Sequence, residues 1–213
     1  INLSVLQEAP DEATRASAAA AIRFAIQSGA DLTKRLLAFV RRRQSMPQRW
    51  EINTIVGETC RLLKPLLSGS IELELRLADD AGCVNVDRSQ IEQVVMNLLL
   101  NARDAIPGSG KIVVQTESRG TSALLTVTDT GVGMTPEVRA QLFEPFFTTK
   151  PPGQGTGLGL ATVRHILDEY AAKIEIDSAP ARGTRIKVLF PRCDVPVSQN
   201  HSTEMDVKQG SAS

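Results

Sequence analysis

Gln93-Val94-Val95-Met96-Asn97-Leu98-Leu99-Leu100-Asn101-Ala102 reads as a helix with two chemically distinct faces. Ile91, Val94, Val95, Leu98 and Leu99 recur at spacings of three and four, so one face lies on a core. Asn97 and Asn101 stand four apart, and their amides project together from another face. Two amides at a cleft can offer carbonyl oxygens to a hydrated Mg²⁺ and N–H groups to phosphate oxygens. The same spacing fits a pair of exposed or capping asparagines. Asp87 or Ser89 caps the start of this helix, which runs to about Ile106, where Pro107-Gly108-Ser109-Gly110 ends it.

The flanking segments alternate between helix and strand patterns. A helix over residues 54–67 is expected to bury Ile55, Val56, Leu62, Leu63 and Leu66. Ile71, Leu73 and Leu75 alternate with Glu72, Glu74 and Arg76 in a half-buried strand, and Val84 and Val86 mark a short one. Residues 111–116 and 123–129 form two strands joined as a hairpin. A Gly-rich stretch, 131–157, precedes a helix over 158–170. Strands over 173–177 and 184–190 follow, separated by a turn at 180–183. Paired strands interrupted by helices define an α+β fold, an antiparallel or mixed sheet with helices on one face.

Residues 46–191 make up this compact domain, entered through a polar linker, Gln44 to Arg49, that contains Pro47. Before it, residues 1–45 read as the end of one helix, a turn at Ala9-Pro10-Asp11-Glu12, and a long helix over about 12–43. Its apolar rows, Ile22, Ile26, Leu36 and Val40 beside Ala25, Leu32 and Phe39, are wider than a coiled-coil seam. Such a stripe suits a helical hairpin that pairs into a four-helix bundle, or equally an amphipathic helix lying on its own domain. Residues 192–213 are polar and read as a linker or disordered tail.

Charge and composition narrow the function. The 24 Lys and Arg balance the 24 Asp and Glu, which argues against nucleic-acid binding or contact with an anionic membrane. No long apolar run or signal peptide pattern is present, and a cytoplasmic location is expected. Cys60, Cys83 and Cys193 are widely spaced and read as structural thiols rather than a metal site or redox switch. His165 lies in an apolar-flanked helix and reads as structural, and His201 lies in the polar tail.

Three further motifs follow in order. Asp129-Thr130-Gly131-Val132-Gly133-Met134 places an acid at a strand end before two glycines. A carboxylate there can accept from the exocyclic amine of adenine, and the glycines admit the base close to the backbone. A plain Asp-Gly turn has the same letters. Phe143-Glu144-Pro145-Phe146-Phe147-Thr148-Thr149-Lys150 gathers half of the six phenylalanines in a loop. These rings need burial, either as a lid hinge that brings Lys150 to a phosphate or as a small satellite core. Gly155-Thr156-Gly157-Leu158-Gly159-Leu160 runs into a helix whose N-terminus can cradle phosphates. It lacks the Gly-Lys-Ser/Thr of a Walker loop and does not follow a strand as a dinucleotide fingerprint does.

In this order the four segments resemble the N, G1, F and G2 boxes of sensor histidine kinases. That family lies in the GHKL superfamily with gyrase-type ATPases, chaperones and MutL. The resemblance spans residues 50–191 and implies the superfamily's α/β sandwich. It implies that Asn101 ligates Mg²⁺ and that Asn97 lies beside the phosphates. Asp129 would read the adenine amine with Gly131 and Gly133 beside it. Lys150 and the backbone of Gly155, Thr156, Gly157, Leu158 and Gly159 would close over the triphosphate, and Thr184 would line the base pocket. Catalysis would fall to Asn97, Asn101 and Lys150.

Asn97 stands where the hydrolysing branches have a glutamate base, and an amide cannot take a proton from water at neutral pH. The implied reaction is transfer of the ATP γ-phosphoryl group to a histidine on the hairpin, then to an aspartate of a response-regulator receiver. The hairpin would make a homodimer. Its acceptor would lie on the order of ten residues before Ile1, about 15 Å along a helix. Asp104 departs from the family's basic residue and reads as solvent-facing or structural. The rival readings are a scaffold or phosphotransfer module with a residual nucleotide site, a hydrolytic GHKL ATPase and an anti-sigma-type serine kinase.

Overall fold

The computed structural model describes residues 46–67, 69–151 and 155–193. The expected hairpin helix and nearly all of the polar tail lie outside these residues. The elements are β1 (Gln48–Glu51), α1 (Ile52–Leu63), β2 (Ile71–Leu77), β3 (Cys83–Val86), α2 (Arg88–Asp104), β4 (Gly110–Arg119), β5 (Ser122–Asp129), α3 (Pro136–Ala140), α4 (Gly159–Glu169), β6 (Lys173–Ser178) and β7 (Thr184–Pro191).

The large sheet has the order β2-β4-β5-β7-β6, and β1 pairs with β3 in a separate two-stranded ribbon. β2 runs parallel to β4, and the other neighbours in the large sheet are antiparallel. One face of the sheet carries Ile112, Val114, Leu125, Val127, Ile186, Val188 and Phe190, all buried. The core joins this face to Ile55 and Val56 of α1, Val94, Val95, Leu98 and Leu99 of α2, and Val163 and Leu167 of α4. The α/β sandwich is therefore as expected, with a mixed sheet.

Local chemistry explains the helix ends. The Asp87 side chain accepts from Ser89 N–H at 2.8 Å, so Asp87 is the N-cap of α2. Tyr170 Oη accepts from the backbone N–H of Asp87 at 2.9 Å, fixing α2 beside the end of α4. α1 ends at Leu63, because Pro65 lies just beyond it within the single 3₁₀ turn Lys64–Leu66.

Four expectations need correction. Leu62 and Leu66 are exposed, at 76% and 60%. The buried stripe of α1 is Ile52, Ile55, Val56, Thr59, Cys60 and Leu63, and Leu62 falls opposite it. Gln48 and Arg49 belong to strand β1 rather than to a linker. The Gly-rich stretch contains α3, capped by the Thr135 side chain with Pro136 in its first turn. His165 stands on the exposed side of α4 instead of in its packed face.

Candidate active site

The site forms around the C-terminal half of α2. Asn97 Nδ2 donates to the carbonyl of Gly159 at 3.2 Å. A methyl group placed on Gly159 would lie 3.7 Å from Asn97 Oδ1 and 3.9 Å from Asn101 Nδ2. Both amides thus converge on the first residue of α4, where unpaired backbone N–H groups begin a helix. With Nδ2 of Asn97 engaged, its Oδ1 is the atom left to turn toward the cleft.

One turn beyond Asn101, the carbonyl of Ala105 accepts from Val132 N–H at 2.9 Å. This contact joins α2 to the Gly131–Gly133 loop. A Cβ on Gly131 would stand 2.4 Å from the Ala105 carbonyl oxygen, so only glycine permits the approach. Asp129 ends β5 and lies directly opposite Thr184 in the β5–β7 ladder. Both are buried, at 7% and 8% exposure.

Asp129 Oδ1 accepts from Gly131 N–H at 2.8 Å. Burial pushes the Asp129 carboxyl above its ordinary range, opposed by the N–H groups of Gly131 and Thr184. A buried acceptor with this little compensation suits a ligand that brings its own donor. Gly133 and Gly183 both hold left-handed backbone, at φ 67 and φ 72, and a Cβ on either would meet a carbonyl oxygen at 2.0 Å.

Ser178, which no motif singles out, ties these pieces together. Its Oγ accepts from Met134 N–H at 3.0 Å, donates to the Gly183 carbonyl at 3.0 Å and lies 2.9 Å from Thr184 Oγ1. It closes the wall behind Asp129. Nothing in its sequence context marks it, because the contact depends on β6 reaching β7 in register.

On the other side, Phe146 N–H donates to Gly157 O at 3.0 Å, and Phe146 takes the left-handed φ of 68. Phe143 and Phe147 are half-buried, but Phe146 is 64% exposed, against the expectation that all three rings are covered. Phe143 instead lies under the Arg164 guanidinium at 5.9 Å. The Lys150 ammonium rests on Asp104 Oδ2 at 2.6 Å, and Arg103 binds the other carboxylate oxygen at 2.6 Å. Burial alone would raise the Asp104 carboxyl, but Lys150 and Arg103 outweigh it and hold it below the ordinary range. The β-carbon position of Gly155 lies 3.1 Å from Lys150 Cδ, and Leu158 N–H reaches Thr156 Oγ1 at 3.4 Å.

α2 thus sets Asn97 and Asn101 against Gly159, meets Lys150 through Asp104, and meets the Gly131–Gly133 loop through Ala105. Among the described residues no cluster of three or more His, Cys, Asp or Glu forms. The hard donor nearest Gly159 at the α4 N-terminus is the Asn97 amide oxygen, with the Asn101 amide beside it. That suits Mg²⁺, which takes few protein ligands and keeps water and phosphate around itself.

Residues 86–194 match the family described as histidine kinase-, DNA gyrase B-, and HSP90-like ATPase. The chain belongs to this family. Among relatives of this ATPase family member, the sensor kinase CckA of Brucella abortus is 36% identical over 76% of the chain. The chain spans only 19% of that relative's length. The solved catalytic domain of histidine kinase ThkA is 30% identical, with a TM-score of 0.62 over 68% of this chain and 95% of that one. The structure of ThkA in complex with response regulator protein TrrA aligns at a TM-score of 0.69 and 21% identity, over 89% of this chain and 55% of that one, and shows the fold alone.

Proposed function

We propose that this ATPase-family domain is the catalytic part of a histidine kinase, transferring the γ-phosphoryl group of Mg-ATP to a protein histidine. The observation that carries the reading is the convergence of Asn97 and Asn101 on Gly159 at the start of α4. Asp129 accepts the adenine amine, with Thr184 beside it and Gly131 and Gly133 admitting the ring. Gly155, Thr156, Gly157, Leu158 and Gly159 present backbone N–H groups to the phosphates. Lys150 leaves Asp104 for a phosphate oxygen and adds positive charge where negative charge collects. Mg²⁺, held by Asn101, supplies further neutralisation of that charge. Asn97 orients without acting as a base, so water gains no activation from it and the phosphoryl group is kept for a side chain.

The acceptor histidine is placed on the dimerisation hairpin, upstream of Ile1, and a response-regulator receiver is the next partner. The kinase ThkA, whose fold this chain shares, has been solved in complex with response regulator protein TrrA, which is consistent with such a partner. A calorimetric titration tests the nucleotide reading. The chain should bind Mg-ATP with one site per domain, more weakly without Mg²⁺, and Asp129→Asn should bind at least tenfold more weakly, about 1.4 kcal/mol. Equal affinity of the variant and the parent chain would remove Asp129 from the base pocket. No binding at all would favour a scaffold.

A further inference from the structure

The β3 strand and the segment that follows β7 carry chemistry that the ATPase reading does not use. Val84 faces Arg192 in an antiparallel bridge, which sets Cys83 opposite Cys193. Cys193 N–H donates to the Cys83 carbonyl at 2.9 Å, and the two Sγ atoms lie 2.9 Å apart. Residues directly opposed in an antiparallel pair have Cα atoms about 4.5–5.5 Å apart, inside the range a disulfide spans.

The backbone here is anchored. The Arg192 side chain covers Gly82, where an added Cβ would meet Nε at 2.4 Å, and its guanidinium donates to Ser118 Oγ. Arg49 of the neighbouring strand β1, opposite Asn85, brings a positive charge close to both thiols. Both thiols are free. They differ in access, with Cys83 buried and Cys193 only half-buried.

We propose that Cys83 and Cys193 form a redox modification site that closes to an intramolecular disulfide on reaction with small-molecule disulfides of the glutathione class. The more accessible Cys193 thiolate attacks one sulfur of the reagent, expelling one thiolate and leaving a mixed disulfide on Cys193. The Cys83 thiolate then attacks the Cys193 sulfur and expels the second. One reagent disulfide is reduced to two thiols, which take up the two protons the cysteines release. Burial and the neighbouring Cys193 thiol raise the Cys83 thiol above its ordinary range, and the Arg49 charge opposes them in part. Cys60 serves as an internal control, since burial pushes its thiol up to about 11.

The bond would tie the point where the chain leaves the domain to β3. Glu51 of the incoming strand β1 also pairs at Cys83. Oxidation would therefore fix the chain's exit beside its way in, and the closed span covers a separation of 110 residues, including α2, Lys150 and α4.

Incubating the full chain with millimolar oxidised glutathione, then alkylating and mapping peptides by mass spectrometry, tests this directly. Two of the three thiols should be lost together in monomeric protein, with a single Cys83–Cys193 linkage and Cys60 still reduced. Cys83→Ser should stop at a glutathione adduct on Cys193, and a reductant should reverse both. Separate adducts on Cys83 and Cys193, linkage only between chains, or no loss of thiols would overturn the proposal. The parent chain alone decides the matter if a serine variant fails to fold.

Discussion

At the residue scale, Asp129 is under two opposed demands. In the proposed base pocket the ionised carboxylate is the stronger acceptor for an amine, yet burial raises the group above its ordinary value of 3.8. The folded chain then holds that proton more tightly than the unfolded chain. The group's effect on stability therefore turns unfavourable as pH rises from its unfolded value through the raised one. Asp129→Asn has no charge to bury. Urea denaturation should show the variant gaining stability relative to the parent as pH rises above about 4. A difference that does not change with pH would mean the carboxyl is not perturbed by burial.

Asp104 presents the converse case. It holds Lys150 at 2.6 Å and places a negative charge where phosphates would approach. Asp104→Asn frees the lysine and removes that repulsion. Partly exposed ion pairs are worth up to about 1 kcal/mol, so Mg-ATP should bind roughly 2–5-fold tighter in the variant. Weaker binding would show instead that Asp104 positions Lys150 for its phosphate. The aspartate itself was visible in the sequence as a departure from a basic residue. Its partner was not, because the two lie 46 positions apart.

At the element scale, the loop bearing Lys150 is stitched to the start of α4 through Phe146 and Gly157. Gly157 holds φ at 65, and a Cβ there would stand 2.2 Å from the Phe146 carbonyl carbon. Gly157→Ala should cost about 1–3 kcal/mol of domain stability and weaken Mg-ATP binding together, read by denaturation and titration. A variant unchanged in both would contradict the stitch.

Legibility at this scale followed length and periodicity. α2 has seventeen residues with a clean apolar stripe and an Asp87 cap, and its reading held nearly to the residue. β1 has four residues, only Trp50 among them half-buried, and left no alternation to find. α3 has five, and its Thr135 cap and Pro136 were signals lost inside a Gly-rich stretch. Leu62 and Leu66 misled because hydrophobicity alone does not place a residue on the buried stripe.

At the scale of the whole molecule, each box of the site was readable but their meeting was not. The last strand, β7, inserts between β5 and β6, and only that order sets Asp129 against Thr184 and Ser178 behind both. Strand order is a long-range outcome of packing that no local pattern encodes. The resemblance to sensor histidine kinases named residues on both sides of that gap, and the fold sets Asn97, Asn101 and Gly159 together at the start of α4. What the described domain can do with ATP depends on what it is offered. An amide at Asn97, which cannot act as a base, fits the proposed delivery to a side chain better than delivery to water.

The most direct measurement follows the phosphoryl group itself. The chain, extended upstream through the first helix of the hairpin, would be incubated with γ-labelled ATP and Mg²⁺. The account predicts label on the protein that is acid-labile and base-stable, as a phosphohistidine is, and its loss in Asp129→Asn or on replacing the upstream histidine. Inorganic phosphate released as fast as ATP is consumed, with no label on the protein, would contradict it.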